Sequence, residues 1–213
     1  MGTPRWRVAI VDDHERSRAA LRGAIWAAGG EVVGEAVRCA DAVPLIRSAA
    51  PDVAVFAVGL PDGDGVEAAA HAIATTDRPV VLFTSHTDAA LVERARAAGV
   101  MAYLLKPLRP AELAPALDLA IARFAENRQL RQTLEGRKII ERAKGALMTR
   151  LGLSEEEAFH RLRRAAMDSR RPMVEIARAV LTSDPVTRTP TTQPDNDVPT
   201  PRGNAAANHR TER

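Results

Sequence analysis

Three short groups of residues carry the chemistry that this sequence could do. Asp12 and Asp13 are adjacent, Thr84 and Ser85 are adjacent, and Lys106 precedes Pro107. Each group closes a short apolar run. Paired carboxylates offer hard oxygen ligands to Mg²⁺. A hydroxyl and an ammonium bind phosphoryl oxygens, and metal and lysine together offset the charge that builds in phosphoryl transfer. For that chemistry these side chains must meet on one rim.

The surrounding pattern supplies such a rim. Strands are expected at 7–11, 31–37, 52–58, 80–84 and 102–105, with helices between them near 14–28, 41–48, 65–75 and 88–98. Alternation of this kind predicts an α/β fold with a parallel sheet covered by helices on both faces. The run Val53-Ala54-Val55-Phe56-Ala57-Val58 lacks polar alternation, as a strand buried on both sides should. In an open parallel sheet the carboxyl ends of the strands converge where ligands bind. Asp12, Thr84 and Lys106 stand at three such ends.

Several segments together resemble the response-regulator receiver family, over residues 5–124. They are Val8-Ala9-Ile10-Val11-Asp12-Asp13-His14, Pro51-Asp52-Val53, Leu60-Pro61-Asp62-Gly63-Asp64-Gly65, Leu82-Phe83-Thr84-Ser85, Gly99-Val100 and Ala102-Tyr103-Leu104-Leu105-Lys106-Pro107. The resemblance implies a five-stranded, doubly wound, flavodoxin-like sheet. It also implies a phosphoacceptor aspartate at the end of the third strand, and there this chain has Ala57. Alanine has neither a nucleophile nor a metal-ligating oxygen. Asp52 is no substitute, because five strand residues, roughly 16 Å, separate it from the rim. Asp62 and Asp64 match ordinary loop positions of the family. The expectations are therefore no phosphoacceptor, at best a weak Mg²⁺ on Asp12 and Asp13, and a Lys106 that pairs with one of those carboxylates. Thr84 and Tyr103 occupy the family's switch positions. Tyr103 is read either as part of a partner-binding face or as a simple packing aromatic.

From Pro110 onward the sequence reads as helix without further strands. Leu113, Leu117, Ala120, Phe124 and Leu134 fall on a heptad frame that Asn127 and Arg131 interrupt. Two readings stay open: a last helix packed on its sheet by Leu113, Leu117 and Ile121, or an extended helix over 111–136 that forms a coiled-coil dimer seam, with Asn127 setting register. Three helices are expected over 137–182. The first runs over 137–151 and is closed by Gly152. The second opens on a Ser154/Glu157 capping box. The third carries Pro172 in its first turn.

Charge is concentrated here. Residues 128–182 hold 13 Lys and Arg against 7 Asp and Glu, whereas residues 1–127 hold 13 against 16. A basic segment of this kind suits a polyanion. Lys138 and Arg142 share one helical face, as do Arg161 and Arg164, with Arg163 adjacent and Arg170 and Arg171 in the next turn. Guanidinium groups pair with phosphates and stack on unpaired bases. The runs Ile140-Glu141-Arg142-Ala143-Lys144-Gly145 and Glu157-Ala158-Phe159 resemble the ANTAR domain, a three-helix RNA-binding module of transcription antiterminators. That resemblance implies a homodimer on paired RNA stem-loops, with Lys144 at an exposed position that touches RNA. Phe159 is either a core residue or a stacking platform.

The remaining features bound the answer. Cys39 is the only cysteine, so an intramolecular disulfide is excluded, and the five histidines show no ligand spacing. No apolar run reaches the length of a membrane span, and a cytoplasmic location is expected. Residues 183–213 are rich in Pro, Thr, Asn and Asp and are expected to be a disordered tail. The leading expectation is an RNA-binding antitermination regulator, not an enzyme, controlled by a sensor protein docked on the receiver or by expression level. The alternative is a protein-interaction module with little or no RNA binding.

Overall fold

A computed structural model describes residues 3–183. The expected tail therefore lies, from residue 184, outside the described residues. The described residues divide into two compact units, with the boundary between Gly136 and Arg137.

The first unit alternates strands and helices: β1 (Arg7–Val11), α1 (Glu15–Ala27), β2 (Glu31–Ala36), α2 (Cys39–Ala49), β3 (Val53–Ala57), a hairpin of β4 (Gly59–Leu60) and β5 (Gly63–Asp64), α3 (Gly65–Thr76), β6 (Val80–Thr84), α4 (Ala89–Ala97), β7 (Ala102–Leu105) and the start of α5 (Pro110–Leu151). The main sheet is parallel, in the order β2-β1-β3-β6-β7. Every residue of β3 and β6 is buried, as their unbroken apolar sequences require. The pleat sends alternate side chains to opposite faces. Ala9, Val11, Ala54, Phe56, Val80 and Leu82 pack with residues of α2, α3 and α4. Val8, Ile10, Val53, Val55, Val81 and Phe83 pack with Leu21 and Ile25 of α1 and with Leu113, Leu117 and Ala120 of α5.

That packing decides between the two readings of α5 for part of its length. Leu113, Leu117 and Ala120 are fully buried against the sheet and Phe124 nearly so, so these positions are not free to form a dimer seam. Only Asn127, Arg131 and Leu134 of the heptad frame remain exposed. A second correction concerns the helix itself. The sequence suggested a new helix from residue 137, but α5 is continuous from Pro110 to Leu151. Gly136 costs a helix only about 1 kcal/mol relative to alanine, too little to break it.

The second unit continues with α6 (Glu155–Ser169) and α7 (Met173–Thr182). Gly152, at φ +65°, closes α5 in the left-handed region, and its N–H bonds to Met148 O at 3.0 Å. Ser154 and Glu157 form the expected capping box. Pro172 caps α7 from just outside the helix and is not in its first turn. Ala143, Leu147, Ala158, Leu162 and Ala177 make the small core.

Candidate functional site

The three strand ends meet as the sequence required. Asp12 follows β1 and is 1% exposed, Thr84 ends β6 and is 5% exposed, and Lys106 follows β7. The Lys106 ammonium donates to Asp12 Oδ2 at 2.7 Å and stands 4.9 Å from the centre of the Phe83 ring. Asp12 Oδ1 accepts from His14 N at 2.9 Å. Asp13 is half-buried, and its carboxylate meets the His14 ring at 2.7 Å. Thr84 Oγ1 donates to His86 O at 2.9 Å. The hydroxyl is thus engaged with its own loop.

Ala57 ends β3 among these groups, 2% exposed. It lines a pocket of ≈ 510 Å³ with His14, Phe83, Thr84, Arg94 and Lys106. The backbone around it is tightly constrained. Gly65 opens α3 so close to β3 that a Cβ there would lie 1.8 Å from Ala57 O. Only glycine fits that approach. The family's geometry is therefore kept in the main chain, while the acceptor side chain is absent.

Asp12, Asp13 and His14 place ligand atoms within 4.8 Å of one another. They nevertheless make a poor Mg²⁺ site. Mg²⁺ demands a near-octahedral set of oxygens. Both Asp12 oxygens are already engaged, one of them by a cation, and residue 57 contributes none.

The other acidic residues are structural. Asp52 sits at the opposite end of the sheet and accepts from Arg7 N at 2.8 Å. Asp62 accepts from Cys39 N and Ala40 N at 2.7 and 3.0 Å, bonds that hold its carboxyl below the usual range, with the Ala40 bond contributing most. Asp64 caps α3 and receives Arg94. Burial pushes the Asp64 carboxyl up, but the Arg94 bond and the helix N–H groups outweigh it and hold it low. Burial, and then Asp62, raise the Cys39 thiol, which disfavours a reactive thiolate.

Tyr103 is 49% exposed on β7. It lines a groove of ≈ 710 Å³ with Val92, Met101, Pro115 and Leu119. It is therefore not a simple core aromatic.

In the helical unit Lys138, Arg142, Arg161, Arg163, Arg164, Arg170 and Arg171 are all exposed. Arg171 pairs with Glu175 at 2.9 Å, and Arg170 ends α6 at φ +52°. Phe159 is half-buried, with its ring edge-on to His160. Lys144 departs from expectation. Its side chain is 9% exposed, and its ammonium donates to both oxygens of Glu141, at 3.1 and 2.9 Å, and to Glu155 Oε1 at 2.7 Å. The bonds to Glu155 and then Glu141 raise the lysine above its usual range. A lysine on a basic helix reads as exposed, and the only signal against this was Glu141, three residues earlier on the same helix.

The rim of Asp12, Thr84 and Lys106 on this sheet defines a response-regulator receiver, here without its acceptor. Residues 8–118 match the response regulator receiver domain, and residues 128–181 match the ANTAR domain. The chain belongs to the response regulators that carry both, a regulatory rather than a catalytic family and the antitermination type of transcriptional regulator. The transcriptional regulatory protein PdtaR of Mycobacterium tuberculosis is similar along most of the length, at 41% identity over 182 residues, 82% of this chain and 89% of that protein. A receiver domain of a modulated diguanylate cyclase from Desulfovibrio desulfuricans superposes with a TM-score of 0.54 at 29% identity, covering 57% of this chain and 98% of that one. A LuxR-family response regulator from Aurantimonas gives 0.52 at 32% identity, covering 58% and 97%. Among the described residues no helix is long and apolar enough to cross a membrane.

Proposed function

We propose that this protein binds paired stem-loops in nascent RNA through its ANTAR domain and so favours transcriptional read-through, and that its receiver works without being phosphorylated. The observation that carries the second half is Ala57 in the acceptor position beside an otherwise retained Asp12, Thr84 and Lys106. Seven exposed cationic residues on α5, α6 and the following turn support the first half. With both Asp12 oxygens engaged, Asp12 and Asp13 offer Mg²⁺ a weak site at best. No cofactor is required. A sensor protein docked on the receiver, or the level of expression, then sets activity. The protein acts as a homodimer in the cytoplasm.

Crosslinking the native protein to cellular RNA and sequencing the bound fragments tests the reading. Recovery of paired stem-loops next to terminators is the expected result. Recovery of no RNA above background, with a stable protein complex in its place, overturns it.

A further inference from the structure

Three features of Lys144 point away from RNA contact. Its ammonium has three donors, and three bonds to carboxylate oxygens engage it within 3.1 Å. Its side chain is 9% exposed, whereas those of its partners Glu141 and Glu155 are 65% and 70% exposed. The group as a whole carries one excess negative charge and presents its carboxylates outward. A phosphate approaching this point meets the glutamates first and is repelled.

The same contacts have a positional consequence. Glu141 and Lys144 lie on α5, and Glu155 is the first residue of α6. Only Gly152, Leu153 and Ser154 join the two helices, and Gly152 stands at φ +65°. The Lys144–Glu155 pair therefore spans the turn and links α5, which carries Lys138 and Arg142, to α6, which carries Arg161, Arg163 and Arg164. Charge-assisted bonds are the stronger kind and restrict geometry. Glu155 is also favoured at the positive end of α6 by the helix dipole.

We infer that Lys144 is a positioning residue: it clamps the α5–α6 angle so that the arginines of the two helices meet an RNA stem-loop in register, without touching the RNA itself. The functional part rests on the RNA-binding reading above. The geometric part stands on the ion cluster alone, and each part has its own measurement.

The geometric measurement uses the full chain with Cys39→Ser, and with spin labels on Thr149→Cys of α5 and Asp168→Cys of α6. A narrow distance distribution is expected with Lys144 intact. It should broaden in Lys144→Met and narrow again in the exchanged pair Lys144→Glu with Glu155→Lys. A distribution that stays narrow in Lys144→Met overturns the clamp, whether or not RNA binds. Helicity by circular dichroism identifies any unfolded variant, and Lys144→Arg, which keeps the charge, then gives the comparison.

The functional measurement uses a stem-loop recovered with the native protein, and a random RNA of equal length. Lys144→Met should lose roughly tenfold or more of stem-loop affinity, the size of one good contact, and little on random RNA. The exchanged pair should restore most of that loss. If Lys144 touched phosphate, the exchange would place a glutamate against RNA and deepen the loss, and that result overturns the positioning role. If the native protein binds no stem-loop, the RNA reading fails while the distance measurement still decides the clamp.

Discussion

Lys106 and Lys144 are each held by carboxylates, and the two are not equivalent. Lys106 in the receiver faces Asp12, which is 1% exposed. Lys144 in the helical domain faces Glu141 and Glu155, both largely in solvent. Without Lys144 its partners are simply rehydrated. Without Lys106 a buried carboxylate is stranded, and such a group costs far more than the pair contributed. The receiver lysine is thus bound into stability, whereas the helical one is bound into shape. The retention of Lys106 in a site that has lost its acceptor needs no catalytic explanation.

The all-or-none test of this contrast is at Ala57. Incubation with acetyl phosphate and Mg²⁺ should leave the intact mass of the native protein unchanged. Ala57→Asp, which restores the missing carboxylate beside Lys106, should take up a base-labile phosphoryl group. A stoichiometric adduct on the native chain would show that another residue has taken over the role.

The next effect in size is on stability. Lys106→Met should lower unfolding free energy by about 3 kcal/mol, the cost of leaving a buried charge unpaired. Adding Asp12→Asn should recover much of it in urea denaturation. Equal losses in the single and double variants would mean that Lys106 acts through packing on Phe83.

Arg163→Ala with Arg164→Ala should weaken binding to every RNA, by roughly 5- to 150-fold per lost contact, and flatten the salt dependence. The melting temperature should barely move, since both side chains are exposed. A folded variant that binds as tightly as the parent would place the RNA surface elsewhere.

The smallest effects lie at helix ends. Ser154→Ala removes half of the capping box and should cost about 1 kcal/mol in thermal unfolding. Acid should act there as well. Bonds from the Ser154 backbone and then its hydroxyl hold the Glu157 carboxyl below its usual range. A depressed carboxylate stabilises the fold above its unfolded pKa and loses that contribution as pH falls through the folded value. The loss on acidification should therefore be smaller in Ser154→Ala than in the parent, and an unchanged acid titration of stability would show that the hydroxyl bond contributes nothing beyond the backbone bond that remains.

What could be read from the sequence follows from which signals are local. The strands over 7–11, 80–84 and 102–105 coincide with β1, β6 and β7, because short runs that are mostly apolar, bounded by turn residues, have few alternatives. The pairing of Lys106 was legible as well, because removal of one carboxylate left only two candidates. The hairpin of β4 and β5 was missed, since Gly59-Leu60 and Gly63-Asp64 are too short to carry a period. The burial of Phe124 and the clamp at Lys144 were missed for another reason. Both depend on residues distant in sequence, the sheet in one case and Glu155 in the other, and a helical periodicity contains neither.

The tight approach of Gly65 to Ala57 O bears on how relatives compare. It fixes the main chain at position 57 and leaves the side chain there lining the pocket with Thr84 and Lys106, so an exchange of that one side chain changes the chemistry of the site while the backbone that frames it stays set by Gly65. Similarity of sequence along the rest of the chain therefore does not tell which side chain a given relative carries at this one position.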